Sequence, residues 1–141
     1  MREILFRGKR SVGERSVWTY GDLTGVPKEN FYTIFEQSSF GRNFQVNPET
    51  VGQFTGLCDI TGKKIFEGDI IRQYNKYHDA PKSYDVYTVI YEEVDCCFYG
   101  KQESQSGTTF VRLWAGTRYE VIGNIWDNPE LLVEAEHEQT D

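Results

Sequence analysis

The stretch Cys58-Asp59-Ile60-Thr61-Gly62-Lys63-Lys64-Ile65-Phe66-Glu67-Gly68-Asp69-Ile70-Ile71-Arg72 decides the fold class. Asp59 can bond backbone amides two residues on and Gly62 can take a positive φ, so Asp59 to Gly62 is expected to form the tip of a hairpin. Gly68-Asp69 forms a second bend. Beyond it Ile70, Arg72 and Tyr74 open a strand whose opposite face carries Ile71. Two turns and a strand within fifteen residues leave no room for a helix, and a turn running directly into an apolar strand is how small barrels often begin.

Downstream the pattern continues. Tyr84 to Glu93 places Val86, Thr88 and Ile90 on one face and Tyr87, Val89 and Tyr91 on the other. Both faces are largely apolar, which suits a central strand covered on both sides. Phe98 to Lys101, Thr109 to Trp114 and Arg118 to Ile122 read as three further strands. They are separated by a polar loop at Gln102 to Gly107 and a turn at Ala115-Gly116-Thr117. Asn75 to Ser83 is the first long loop. Helix chemistry appears only near the end, where Asn128 suits an N-cap, Pro129 the first turn and Glu130 the positive end of the dipole. Leu131, Leu132 and Ala135 form one apolar stripe, expected to lie as a lid on an open barrel end, and His137 to Asp141 should fray.

Upstream, Glu3 to Arg10 alternates, with Ile4 and Phe6 on one face. Ser11 to Arg15 turns, and Ser16 to Leu23 resumes with Trp18 and Tyr20 together. Gly25, Pro27 and Asn30 break the chain before a third strand at Phe31 to Glu36. A short fourth piece, Asn43 to Val46, stops at Asn47-Pro48 because proline removes a ladder donor.

Composition supports a folded, strand-rich chain: 21 of its 141 residues are aromatic, with 13 Gly against 4 Pro. The net charge of -7 is unevenly placed. Residues 127 to 141 hold six acids and no base, which leaves 15 basic and 16 acidic residues in the body. A nearly neutral body lacks the broad basic footprint of duplex binding. No apolar run approaches the roughly 18 to 20 residues of a membrane span. Three cysteines, Cys58, Cys96 and Cys97, write no disulfide framework, since adjacent strand residues point to opposite faces. Partly buried structural thiols in a reducing, cytoplasmic setting are the expectation.

Known chemical devices are missing. Cys and His residues stand at 58, 78, 96, 97 and 137, without the paired spacing of a zinc site. A thiol nucleophile would need His78, which sits in solvated turn chemistry. Asp59, Glu67 and Asp69 cluster, but each occupies a turn position that accounts for it. Gly56 to Lys64 superficially suggests a phosphate loop. Five residues rather than four separate Gly56 from Gly62, Lys64 stands where a hydroxyl must reach magnesium, and no GxGxxG is present. No cofactor is expected. One candidate surface remains: Arg7, Lys9 and Arg10, with Arg2 and Arg15, near the rings of Trp18 and Tyr20, a combination suited to single-stranded nucleic acid. Basic residues on an edge strand also deter aggregation, which explains the same residues more simply.

Four ordered blocks carry a family pattern: Met1 to Arg10 with Trp18-Thr19-Tyr20-Gly21-Asp22-Leu23; Thr50 to Leu57; Thr61 to Ile71; and Tyr119-Glu120-Val121-Ile122-Gly123-Asn124-Ile125-Trp126-Asp127-Asn128-Pro129-Glu130-Leu131-Leu132. Together they resemble the YopX family of phage and prophage proteins. The resemblance implies a mainly β (α+β) protein of the bacterial cytoplasm. It implies an N-terminal β extension (1–50) and an SH3-like β-barrel with a C-terminal capping helix (51–136), followed here by an acidic tail (137–141). It implies no activity, and no catalytic residue transfers.

The expectation is therefore a non-enzymatic binding or assembly module acting on a phage or host protein, with self-association through a β edge as one form. Exposed rings at Trp18, Tyr20, Trp114 or Trp126 would anchor a partner, although most such rings are core. The rivals are nucleic-acid binding during phage replication or regulation, with Arg7, Lys9, Arg10, Trp18 and Tyr20 as contacts, and an enzyme without a recognisable motif.

Overall fold

A computed structural model describes residues 1–36, 41–74 and 84–133. The Asn75 to Ser83 loop with His78, Ala135 of the apolar stripe and the 137–141 tail lie outside them. The described chain is mainly β, with two antiparallel sheets and a short helical segment at residues 130–133. It divides into two compact units, Met1–Gly56 and Leu57–Asp141.

The first unit contains β1 (Phe6–Val12), β2 (Arg15–Val26), β3 (Phe31–Glu36) and β4 (Arg42–Val46), and β5 (Gly52–Cys58) leads out of it. In their sheet β4, β3, β2, β1 and β5 lie in that order. Gly13 at φ 62 makes the tight turn between Val12 and Arg15. The sheet buries one face, which carries Thr19, Ile34 and Val46. Gly8 lies on that face because its neighbour needs the room: an added Cβ would stand 2.9 Å from Val46 Cγ2. The Asn47-Pro48 break does more than stop β4. It forms a 3-10 turn over Pro48–Thr50, in which the Asn47 side chain accepts from Glu49 N at 3.1 Å. This turn seals the backbone of Lys9, whose N–H donates to Thr50 Oγ1 at 2.8 Å and whose carbonyl accepts from Asn47 N at 2.7 Å. Ile4 does not join the strand; it is exposed, and β1 begins at Phe6.

The second unit holds β6 (Lys64–Phe66), β7 (Asp69–Tyr74), β8 (Tyr84–Glu92), β9 (Cys97–Ser104), β10 (Gly107–Arg112) and β11 (Tyr119–Asn124). The sheet order is β10-β9-β8-β7-β11, so the strand with two apolar faces stands in the middle. Its core joins Ile65, Ile71, Tyr87, Val89, Leu113 and Tyr119. Among the described residues the strands do not close into a barrel; β10 and β11 end the sheet on opposite sides.

The central stretch behaves as a set of clamps. Asp59 Oδ1 accepts from Thr61 N, Thr61 Oγ1 and Lys63 N, while Oδ2 accepts from Val121 N at 3.0 Å. The hairpin tip therefore also grips β11. Asp69, 2% exposed, accepts from Phe66 N across the second bend. Gly68, at φ 87, leaves space that the Trp126 ring fills: a Cβ there would lie 2.1 Å from Trp126 Cζ3.

Several expectations are corrected. The polar segment Gln102 to Gly107 is mostly strand, because its residues pair through Ser104↔Gly107 and leave Gln105 and Ser106 alone as the turn. Asn128 turns its side chain back, accepting from Asn124 N at 3.3 Å, instead of capping the helix that follows it. Cys58 and Cys96 are exposed and Cys97 half-buried, all three as free thiols. The cause is position: Cys58 ends β5, and Cys96 occupies the turn before β9 at φ 54.

Candidate binding surface

Pairing register sorts the predicted residues of the first unit. Arg7 opposes Tyr20 and Lys9 opposes Trp18. Directly opposed residues share a face, so these four side chains stand together. Arg10 opposes Val17 and projects from the other face, where its guanidinium lies 3.9 Å from the centroid of the Phe44 ring. One residue of parity separates Lys9 from Arg10, and the proposed cluster is divided by it.

On the shared face the cations are bound to the ring. The Arg7 guanidinium lies 4.3 Å and the Lys9 ammonium 5.2 Å from the centroid of Trp18, distances at which the ring quadrupole attracts a cation. Arg7 is only 4% exposed. Its charge is therefore directed at Trp18 and the sheet, with little left for an incoming phosphate.

The same face extends where the sequence pattern did not lead. Asp22 opposes Phe35, Thr24 opposes Thr33 and Val26 opposes Phe31, so these side chains continue the surface of Trp18 and Tyr20. Tyr20, Val26 and Phe31 are 41%, 45% and 42% exposed, and Phe35 is half-buried. The Thr24 and Thr33 hydroxyls bond each other at 2.5 Å and satisfy themselves within the stripe. The result is a sheet face of rings and a valine, with Asp22 as an exposed carboxylate near its middle. Phe31 and Phe35 were missed because their side depends on pairing with β2. The signal was the turn at Pro27 to Asn30, with Asn30 at φ 53, which sets Val26 opposite Phe31.

Of the other rings named from sequence, Trp114 is 57% exposed and stacks over Gly116, where a Cβ would lie 2.0 Å from its ring. Trp126 is half-buried against Gly68. The perturbed acids serve structure. Burial alone would raise the Asp59 carboxyl, but the Val121 N–H, the Thr61 hydroxyl and the Lys63 and Thr61 N–H groups outweigh it and hold it below its ordinary value. Tyr74 is held above the ordinary tyrosine range chiefly because its hydroxyl donates to Glu120 at 2.6 Å. Burial, first among several causes, raises Tyr87 as well. Among the described residues no three of His, Cys, Asp and Glu gather as metal ligands would, and no helix is long and apolar enough to cross a membrane.

Comparison with protein families finds a match to the YopX protein family over residues 9–133. The chain belongs to the YopX family. The matched span runs from the hairpin that bears Trp18 to the helical segment after Asn128, so it takes in most of both units of this YopX-family chain. No curated protein matches. Among solved structures, the crystal structure of protein EF1440 from Enterococcus faecalis is similar at 22% identity, covering 89% of this chain and 74% of that one with a TM-score of 0.35.

Proposed function

We propose that this YopX-family chain is a non-enzymatic binding or assembly module of a phage or prophage, working in the bacterial cytoplasm on a phage or host protein. The observation that supports it best is the outward face of β1, β2 and β3, where Trp18, Tyr20, Phe31, Phe35 and Val26 lie side by side and partly open to water. Aromatic rings on a rigid sheet are efficient anchors for a protein partner, since they bring large contact area with little side-chain freedom to lose. We read the second unit as an SH3-like barrel opened between β10 and β11 with the 130–133 helix as its cap, and the first as its β extension.

Nucleic-acid contact is the second reading, favoured by Lys9 and Arg7 over Trp18. Against it stand the burial of Arg7 and the exposed Asp22 carboxylate on the same face, which would repel a phosphate backbone.

The test is capture of partners in prophage-bearing cells by a photo-crosslinker at position 24, beside the rings, comparing wild type with the double variant Tyr20→Ser/Phe31→Ser. Loss of the crosslinked protein in a variant that melts as wild type does supports the proposal; undiminished capture overturns it. A salt-sensitive shift of a single-stranded oligonucleotide that disappears in Lys9→Gln would transfer the face to the second reading.

A further inference from the structure

Backbone edges in this protein are sealed by specific turns. The Asn47–Thr50 turn takes both backbone groups of Lys9. The outer edge of β11 is taken by the hairpin tip: Tyr119 O accepts from Ile60 N at 2.9 Å, and Val121 N donates to Asp59. β10, at the other end of the same sheet, has no such cover among the described residues. Leu113 N donates to Phe98 O, and antiparallel pairing alternates, so Val111 and Thr109 also bond toward β9. The N–H and C=O groups of Thr108, Phe110 and Arg112 therefore point away from the sheet. All three residues are exposed, with Phe110 at 48%. Of the usual means of discouraging pairing at an edge, the strand Gly107-Thr108-Thr109-Phe110-Val111-Arg112 contains no proline and no lysine, and its single charge, Arg112, stands at its end.

We infer that β10 pairs antiparallel with β10 of a second copy of this chain, extending the five-stranded sheet across a two-fold axis at Phe110. The register is self-complementary. Centred on Phe110 it uses every outward backbone group of the strand, sets Phe110 against Phe110 of the second copy, and sets Thr108 against Arg112 of the second copy. No like charges face each other. Thr108 is flanked on its own sheet by Glu103, which opposes it in β9 and already holds Lys101 at 2.9 Å. Arg112 of the second copy would then lie two strands, about 10 Å, from the Glu103 backbone on the same face, a span that the two side chains together cover. A self-paired β edge with complementary charges is an isologous interface, closing as a dimer rather than growing into a fibre.

The inference rests on the reading of an assembly module and names a surface and partner that the ringed face does not involve. Sedimentation velocity of the full chain across a concentration series tests it. The wild type is expected to dimerise. Phe110→Pro, which removes an outward N–H without touching a β9 bond, should weaken the dimer on the order of 30-fold through its two symmetry-related losses. Phe110→Lys should abolish it, and Tyr20→Ser/Phe31→Ser should leave it intact. A wild type that stays monomeric at millimolar concentration, or a dimer that survives both Phe110 variants, overturns the inference whatever the fate of the ringed face. A dimer lost instead in Tyr20→Ser/Phe31→Ser overturns it too, moving self-association to the first unit.

Discussion

Removing the Asp59 carboxylate should unfasten β11. The side chain receives four hydrogen bonds: three at Oδ1 from the hairpin tip and one at Oδ2 from Val121 N. In Asp59→Ala the tip donors can turn to water, so their loss costs about 0.5 kcal/mol each, whereas the Val121 amide at the sheet edge loses a charged partner worth about 1.5 kcal/mol. The total is about 3 kcal/mol, or a fall in Tm of roughly 10 °C. Asp59→Asn separates the two halves. Its oxygen can still serve Thr61 and Lys63, but its NH2 group meets the Val121 N–H donor to donor, so it should cost about 2 kcal/mol and act chiefly on β11. Urea unfolding gives the energies, and amide hydrogen exchange at Val121 gives the location. Because the folded carboxyl is held below its ordinary value of 3.8, its contribution is complete above that pH and disappears as the pH falls through the lowered folded value. Wild type should therefore lose stability on acidification below about pH 4 more steeply than Asp59→Asn does. A cost under about 1 kcal/mol for Asp59→Ala, or unchanged protection of Val121 in Asp59→Asn, refutes the clamp.

Two further substitutions test how the units are packed. Gly68→Ala meets both a positive φ of 87 and the ring of Trp126, and should cost about 3 kcal/mol with a changed tryptophan emission on thermal melting; a loss below about 1 kcal/mol would mean that Trp126 moves aside freely. Thr19→Val should be neutral or stabilising by up to about 1 kcal/mol, since the Thr19 hydroxyl is buried beside Gly8, Ile34 and Val46 without a hydrogen-bond partner among the described residues; clear destabilisation in urea would reveal a partner for that hydroxyl.

The surface that supports a binding role and the edge that supports self-pairing differ in kind. The first offers rings and depends on side chains, while the second offers backbone groups and depends on what does not cover them. Of the Asp59, Glu67 and Asp69 cluster, Asp59 and Asp69 spend hydrogen bonds on their turns and on β11, as Asn124 does on the turn that follows it. Asn124 Oδ1, for example, accepts from both Trp126 N and Asp127 N, which fixes the chain as it leaves β11. Polar residues committed in this way hold the fold.

By itself the sequence determined whatever is local. The break at Gly25, Pro27 and Asn30 placed Phe31 to Glu36 as a strand and period-two alternation placed Tyr84 to Glu93, the two apolar faces of the latter marked it as central, and Asp59 and Gly62 marked the hairpin tip. Each follows from the geometry of one strand or one turn. Tertiary structure alone decided what depends on which strand lies beside which. It set Arg7 and Lys9 against Tyr20 and Trp18, added Phe31 and Phe35 to the face of Trp18, buried Thr19, and left β10 rather than β11 with an open edge among the described residues. The physical reason is that a strand presents equal hydrogen-bonding groups along both of its sides. Its residue pattern tells which face is apolar, but the neighbour on each side is chosen by contacts far away in the chain.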